Sequence, residues 1–509
     1  MEVPAGNDKV SRIAELIQRA HDQAQANELD DALRTCSEIL NEDPFCPEAL
    51  FISAYVLQKA ERFGLADCIM ERCSKIVPEK EQIWNNWGLI KVGLNDLEGA
   101  AKYLHKSLER EPKQVEAMNN LALVHVHKCD PEGAVKWADT SLALKPGQRD
   151  VLESRGYACL MTRKWKEGWE GYEAAVGNSK YRIPRPMSKE PYWDGTKGKR
   201  IYIRGEQGLG DEILFASCIP DVARENTVVL ECDRRLEGLF KRSFDIPVFG
   251  TRNDKNRGWT GEFDYHCLIG SLHNYYRQRD GDFPGTPYLR PDPERLTQWR
   301  ALVDTLPGLK VGLAWTGGLR NTFAHRRSLS IDQLSPILNV GGCSFVSLQY
   351  KTPEAHPKIR HWARGSEAQD LDEVAALIES LDLVISVSTA TVHIAGALGK
   401  ECWVLIPEKP HWHYALEGDT IPWYKSVKVF RQQNGKWDSI INHVGELLAS
   451  RVSGVRPPPA VGVHGASPQH YPSGIQTSIY HPLNPVAAAY QAEGFNGVHV
   501  LPIPTPVDM

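Results

Sequence analysis

The 509-residue chain has no apolar run long enough to cross a membrane as a helix. Its opening residues, MEVPAGNDKVSR, lack the apolar core of a secretion signal. It also lacks a basic excess. The 59 Lys and Arg stand against 64 Asp and Glu, a net charge of −5, so no global field calls for nucleic acid. The eleven cysteines include no Cys-x-x-Cys pair. Cys36, Cys68 and Cys73 fall within expected helices, where a free thiol serves as a small core residue, and a reduced, cytoplasmic setting is expected. What remains is a globular composition, 42% hydrophobic and 24% charged, with length enough for three domains.

Two features recur at a fixed interval. Pro44, Pro78, Pro112 and Pro146 are 34 residues apart, and so are Ala32, Ala66, Ala100 and Ala134. That period belongs to a helix-turn-helix repeat. The alanine falls where the second helix crosses the first, and only a small side chain permits that approach. The proline stops the second helix because it has no N–H to continue the ladder. Trp84, Trp87 and Gly88 open the first helix of the clearest unit, and Leu104 lies in its second. A partial fifth unit with Gly156, Tyr157, Trp165, Trp169 and Tyr172 is expected to cap the array. The pattern resembles the tetratricopeptide repeat and covers residues 9–176. The resemblance implies an α solenoid that binds a protein or peptide partner.

A Pro- and Lys-rich joint spans 177–199. Beyond it, apolar strands at 200–205, 227–232 and 263–270, and then at 309–315, 344–349, 381–387 and 401–407, alternate with helical stretches. Val-, Ile- and Leu-rich strands separated by helices predict parallel α/β sheets. Two such blocks, 200–308 and 309–451, predict two Rossmann-like lobes. The last stretch, 452–509, holds no persistent period and is expected to be a flexible tail.

Four constellations carry candidate chemistry. Gly205, Gly208 and Gly210 surround a strand-to-helix turn that ends in Asp211. The spacing is neither the dinucleotide fingerprint nor the Walker pattern. Asp211 is open to two roles, general base for an acceptor hydroxyl or helix-capping carboxylate. Thr316, Gly317 and Gly318 follow another strand, with Arg320, Asn321, His325, Arg326, Arg327 and Ser328 behind. Exposed N–H groups and cations there would suit phosphate oxygens; a solvated basic loop is the alternative. Ser388, Thr389, Ala390 and His393 begin a helix, an end that attracts anions, or that Ser and Thr merely cap. His411 and His413 have no third ligand in register, so no metal is expected; with Trp412, Trp423 and Tyr424 they are expected to pack beneath the site.

Taken in order over about 198–447, these strings resemble glycosyltransferase family 9, the heptosyltransferase-like group, and most of all its members with tetratricopeptide repeats in front. The matching segments include GEQGLGDEILFA, VGLAWTGGLRN, FVSLQY and LDLVISVSTATVHIAGALG. The resemblance implies a GT-B fold and inverting transfer from a nucleotide-diphosphate sugar, without metal or other cofactor. It places Asp211 as the base, and Thr316 and Gly317 at the donor diphosphate. It also sets Thr389, Ala390 and His393 near the phosphates and sugar, and Gln349 near the nucleoside; Arg327, from the cations behind the Thr316 turn, is expected as an additional donor contact. Two departures stand out. Ser388-Thr389 replaces the family's Asp-Thr, which removes a carboxylate that would hold sugar hydroxyls, and Trp412-His413 replaces a Trp-Arg pair.

The leading expectation is therefore a sugar transferase with an acceptor, a protein or a carrier-linked glycan, presented by the repeats. The alternative is an inactive repeat scaffold that binds a protein partner. A nucleotide-sugar epimerase would need a Tyr-x-x-x-Lys pair on a helix of the α/β region; Lys106 follows Tyr103 at three residues, and inside the repeats.

Overall fold

The computed structural model describes residues 5–177, 182, 189–254, 258–317, 324–350, 356–366 and 370–454. Most of the joint, the tail from residue 455, and Gly318, Arg320 and Asn321 lie outside the described residues. The chain forms two compact units, one running to Cys159 and the other from Leu160 onward.

The first unit is a solenoid of helical pairs: Ala5–Gln25 with Leu29–Glu42, Pro47–Lys59 with Phe63–Ile76, Glu81–Gly93 with Leu97–Arg110, and Val115–His127 with Pro131–Leu144. The repeating alanines do what their spacing predicts, since Ala32, Ala66, Ala100 and Ala134 are all fully buried. Gly88 meets the same demand from the facing helix, because a Cβ there would stand 2.7 Å from Leu104. From the second pair on, the first helices are buried on nearly every side, as in the run Ile83–Ile90, whereas the second helices bury one stripe and expose the other. Between the two helices of each pair, one residue adopts left-handed backbone: Asn27, Glu61, Asn95 and Cys129, followed at the same interval by Arg163. The residue after it donates its N–H back five positions, Glu28 to Gln23, Arg62 to Leu57, Asp96 to Lys91 and Asp130 to His125. This is the Schellman closure, which usually recruits glycine.

In the second unit, β1 (Arg200–Arg204), β2 (Thr227–Glu231), β3 (Val248–Phe249) and β4 (Tyr265–Leu268) form a parallel sheet in the order β3-β2-β1-β4. The other sheet holds β5 (Leu309–Ala314), β6 (Cys343–Ser347), β7 (Ile359–Arg360), β8 (Leu383–Val387), β9 (Cys402–Ile406), β10 (Thr420–Ile421) and β11 (Tyr424–Arg431). Its order is β10-β11-β9-β8-β5-β6-β7, and only the β10–β11 pair is antiparallel. The fold class is thus an α solenoid followed by a two-lobed α/β region. β5, β8 and β9 are central strands, and their apolar runs are buried on both faces, as parallel sheets require.

The helix Trp165–Ala174, the second of the fifth pair, packs into this unit. Its Trp165 indole donates to Asp280 at 2.8 Å and its Trp169 indole to the Arg277 carbonyl at 2.7 Å. The Trp169 ring also meets Trp412 edge-on at 5.5 Å. Trp412 and Trp423 therefore lie in an aromatic layer, as expected.

Candidate functional site

The site begins where β1 runs out. Gly205 donates to the Glu231 carbonyl at 2.6 Å, and a Cβ on it would collide with Glu212 Oε1. Glu212 is fully buried, accepts the Asp233 N–H at 3.0 Å, and pairs with Arg252 at 3.4 Å. Burial pushes its carboxyl up to about 8, against the opposing charge of Arg252. Glu206, also buried, holds Arg182 at 3.0 Å and accepts the Gly270 N–H at 2.9 Å. The loop is thus anchored by carboxylates on its inner side. Asp211 stands on its other side, in the first turn of the helix Leu209–Ala216, where it accepts the Gly208 N–H at 3.1 Å. That bond is a capping bond, so the carboxylate does cap. It is half-buried, and desolvation raises its pKa above the ordinary value, while the Gly208 N–H and the charges of Arg327 and Arg252 pull the other way.

The two lobes meet at Gly210. A Cβ there would lie 2.9 Å from His393 Cδ2 and 3.5 Å from Ala390 Cα. Ala390 opens the helix Ala390–Leu398, which Thr389 caps through its hydroxyl to Thr391 N at 3.3 Å. Gly317 is pressed against the Thr389 side chain, where a Cβ would not fit. Arg327 donates to the Ser388 carbonyl at 3.1 Å and acts electrostatically on Asp211, Tyr414 and His411. Asp211, Gly210, Thr316, Gly317, Arg327, Ser388, Thr389, Ala390 and His393 are thus brought into one neighbourhood.

Two sequence expectations are corrected. The turn after β5 does not offer its N–H groups to a ligand. Trp315 and Thr316 donate to Gln349 Oε1 at 3.0 and 2.9 Å, and Gly317 donates to Ser328 Oγ at 3.3 Å. Gln349 also donates to the Thr316 carbonyl at 3.0 Å, so its amide fastens this turn instead of standing free for a nucleoside. The physical reason is common to both: buried backbone donors at a strand end need acceptors, and this carboxamide and hydroxyl supply them.

Other members were not expected as site residues. His411 and His413 approach Nδ1 to Nδ1 at 2.7 Å, so one donates while the other accepts, and the pair shares a proton. Burial drives His411 down to about 3 and His413 well below its ordinary value. Tyr414, packed on His413 at 4.2 Å between ring centroids, faces Ser388. Arg431 fixes this segment by donating to the carbonyls of Tyr414, Ala415, Glu417 and Gly418. The segment carries strain at Ala415, with φ 52° and ψ −180°. Among the described residues no cluster of three His, Cys, Asp or Glu side chains is arranged to hold a metal ion.

A tetratricopeptide-repeat family profile matches residues 85–149. Protein FlbA of Caulobacter vibrioides is 31% identical over 428 residues, 78% of this chain and 71% of that protein. The chain belongs to the FlbA family. Solved structures similar to it include MamA, residues 41 to the end, from Desulfovibrio magneticus RS-1 (15% identical, TM-score 0.29, 32% of this chain and 90% of that one). Another is YrrB, described as a tetratricopeptide-repeat protein with an unusual peptide-binding site (19%, TM-score 0.28, 32% and 83%).

In this FlbA relative, His411, Tyr414 and Tyr424 escaped the sequence reading because their aromatic spacing reads as packing.

Proposed function

We propose that this FlbA relative is a sugar transferase that moves a glycosyl group from a nucleotide-diphosphate donor to an acceptor hydroxyl, with the repeats holding a protein acceptor. The observation that carries this reading is the juxtaposition at Gly210. A carboxylate with a raised pKa, a half-buried arginine and a helix N-terminus from the other lobe converge there. A base is most effective when its pKa approaches the working pH, and Asp211 is shifted in that direction. In the proposed step, Asp211 takes the proton of the acceptor hydroxyl. The oxygen forms a bond to the anomeric carbon as the bond to the diphosphate breaks. The leaving group's charge is met by Arg327, the Thr316 hydroxyl and the start of the helix Ala390–Leu398. The ordered resemblance to family 9 transferases supports the same assignment.

A second reading has its own observation. The donors of Trp315, Thr316 and Gly317 are already bonded within the protein, and Ser388 stands in place of a carboxylate, as in a scaffold that has lost catalysis. One experiment separates the two. The full chain is screened by thermal shift against nucleoside diphosphates and their sugars, and diphosphate release is assayed for each that stabilises it. The transferase reading expects a shift, weakened by Arg327→Ala, and a loss of release of about 10²- to 10⁴-fold in Asp211→Asn with the shift retained. Unchanged release in Asp211→Asn removes the base assignment. A folded chain that no donor stabilises supports the scaffold.

A further inference from the structure

His393 sits at the end of a hydrogen-bond chain whose direction can be worked out. Tyr288 Oη lies 2.6 Å from the Ile213 carbonyl, which can only accept, so the single Tyr288 proton points there. Tyr288 Oη then faces Tyr424 Oη, 3.2 Å away, with lone pairs alone, so the Tyr424 proton points to Tyr288. Tyr424 in turn presents lone pairs to His393 Nδ1 at 3.3 Å. The imidazole must supply the proton of that bond. With one proton on the ring, Nε2 is left bare.

The other edge of the ring is the one that touches the glycine loop. A Cβ at position 210 would stand 2.9 Å from His393 Cδ2 and 3.6 Å from Nε2, so a side chain at Gly210 would crowd this edge of the buried ring. Burial holds the ring neutral, with a pKa of about 4, so Nε2 does not become a donor near neutral pH.

We propose that Tyr288 and Tyr424 are positioning residues that fix His393 as its Nδ1–H tautomer, and that bare Nε2, at the Gly210 contact, takes a hydrogen-bond donor of the ligand, a sugar hydroxyl or amide N–H. A phosphate oxygen is also only an acceptor, so it has nothing to gain from this nitrogen. The ligand half rests on the transferase reading; the tautomer half does not. Within that reading, His393 belongs to the sugar and the diphosphate lies on the Arg327 side.

The test is histidine ring NMR on the full-length protein carrying ¹⁵N-histidine, with the His393 signals assigned by their loss in His393→Gln. At pH 7 the expected pattern is a protonated Nδ1 and an unprotonated Nε2. An Nε2–H ring in the parent protein overturns the assignment, whatever the chain catalyses. In Tyr424→Phe the fixed pattern should give way to a mixture of tautomers; an unchanged pattern shows that the tyrosines do not set it. In Gly210→Ala the Nε2 signal should move, as the new methyl covers it, with Nδ1 unmoved. A stationary Nε2 means that no ligand reaches it. Added inorganic pyrophosphate should leave Nδ1 protonated and Nε2 unprotonated as before, and conversion to imidazolium or to Nε2–H would assign His393 to phosphate instead.

Discussion

The solenoid and the α/β unit solve difficult backbone positions in opposite ways. In the solenoid the demand is conformational: Asn27, Glu61, Asn95 and Cys129 all hold left-handed backbone although their side chains differ in size and charge. Any residue can do this at a cost of about 1–2 kcal/mol, so the position leaves no fixed residue type behind. At the two Gly-rich turns of the site, after β1 and after β5, the demand is for space. Gly205 and Gly317 leave no volume for even one carbon, because Glu212 and Thr389 already fill it. A conformational need can be met by many residues, whereas a spatial one is met by glycine alone. The site is therefore written in residue identity and the repeat in residue spacing.

Four substitutions would break or sharpen this contrast. The largest effect is expected from Glu206→Ala, which strands Arg182 among buried groups; a loss of about 3–5 kcal/mol is expected in denaturant unfolding of the α/β unit. Gly205→Ala should come next, at about 3 kcal/mol, because Glu212 cannot withdraw without giving up Asp233 N–H and Arg252. A cost below 1 kcal/mol would mean that the loop accommodates a side chain and that space is not the constraint. The third is a pH dependence. The folded Glu212 carboxyl titrates near 8, above its unfolded value near 4.5, so its contribution is fully present below about 4.5 and is lost as pH rises toward 8. Comparing Tm across that interval, Glu212→Gln should lessen the decline; an equal slope would place the titration elsewhere. The smallest effect is expected at a solenoid corner. Cys129→Gly relieves left-handed strain but adds freedom to the unfolded chain, for a net gain of about 0.5 kcal/mol. A loss above 1 kcal/mol would show that the side chain, not the backbone, holds the corner.

The same contrast explains what could be read from the sequence. Prolines and alanines at a fixed interval announced the helical pairs, and the apolar runs announced the central strands, because burial on both faces leaves an unbroken hydrophobic string. The two-residue strands β3, β7 and β10 leave too few positions for any period. Nor did the corners leave a signal, since their residues are not glycine. Asp211 and His393 stood out because each lies in the first turn of a helix, and Arg327 because it lies in a run of cations behind a Gly-rich turn. Their partners were not: Tyr288, Tyr424, His411 and Tyr414 reach the site through packing between elements far apart in the chain. The donors after β5 misled because a Gly-rich turn looks open until Gln349 and Ser328 are placed against it.

The recurring corner makes each helical pair a closed cassette that carries its own chain reversal. Duplicating or deleting one whole period preserves every reversal and every alanine crossing; a gain or loss one residue short turns the buried stripe of the helix at the join by about 100° and takes its alanine off the crossing. The length of the repeat array can then change only in whole-pair steps, so copy number is the route by which such a chain resizes its repeat surface without redesigning it.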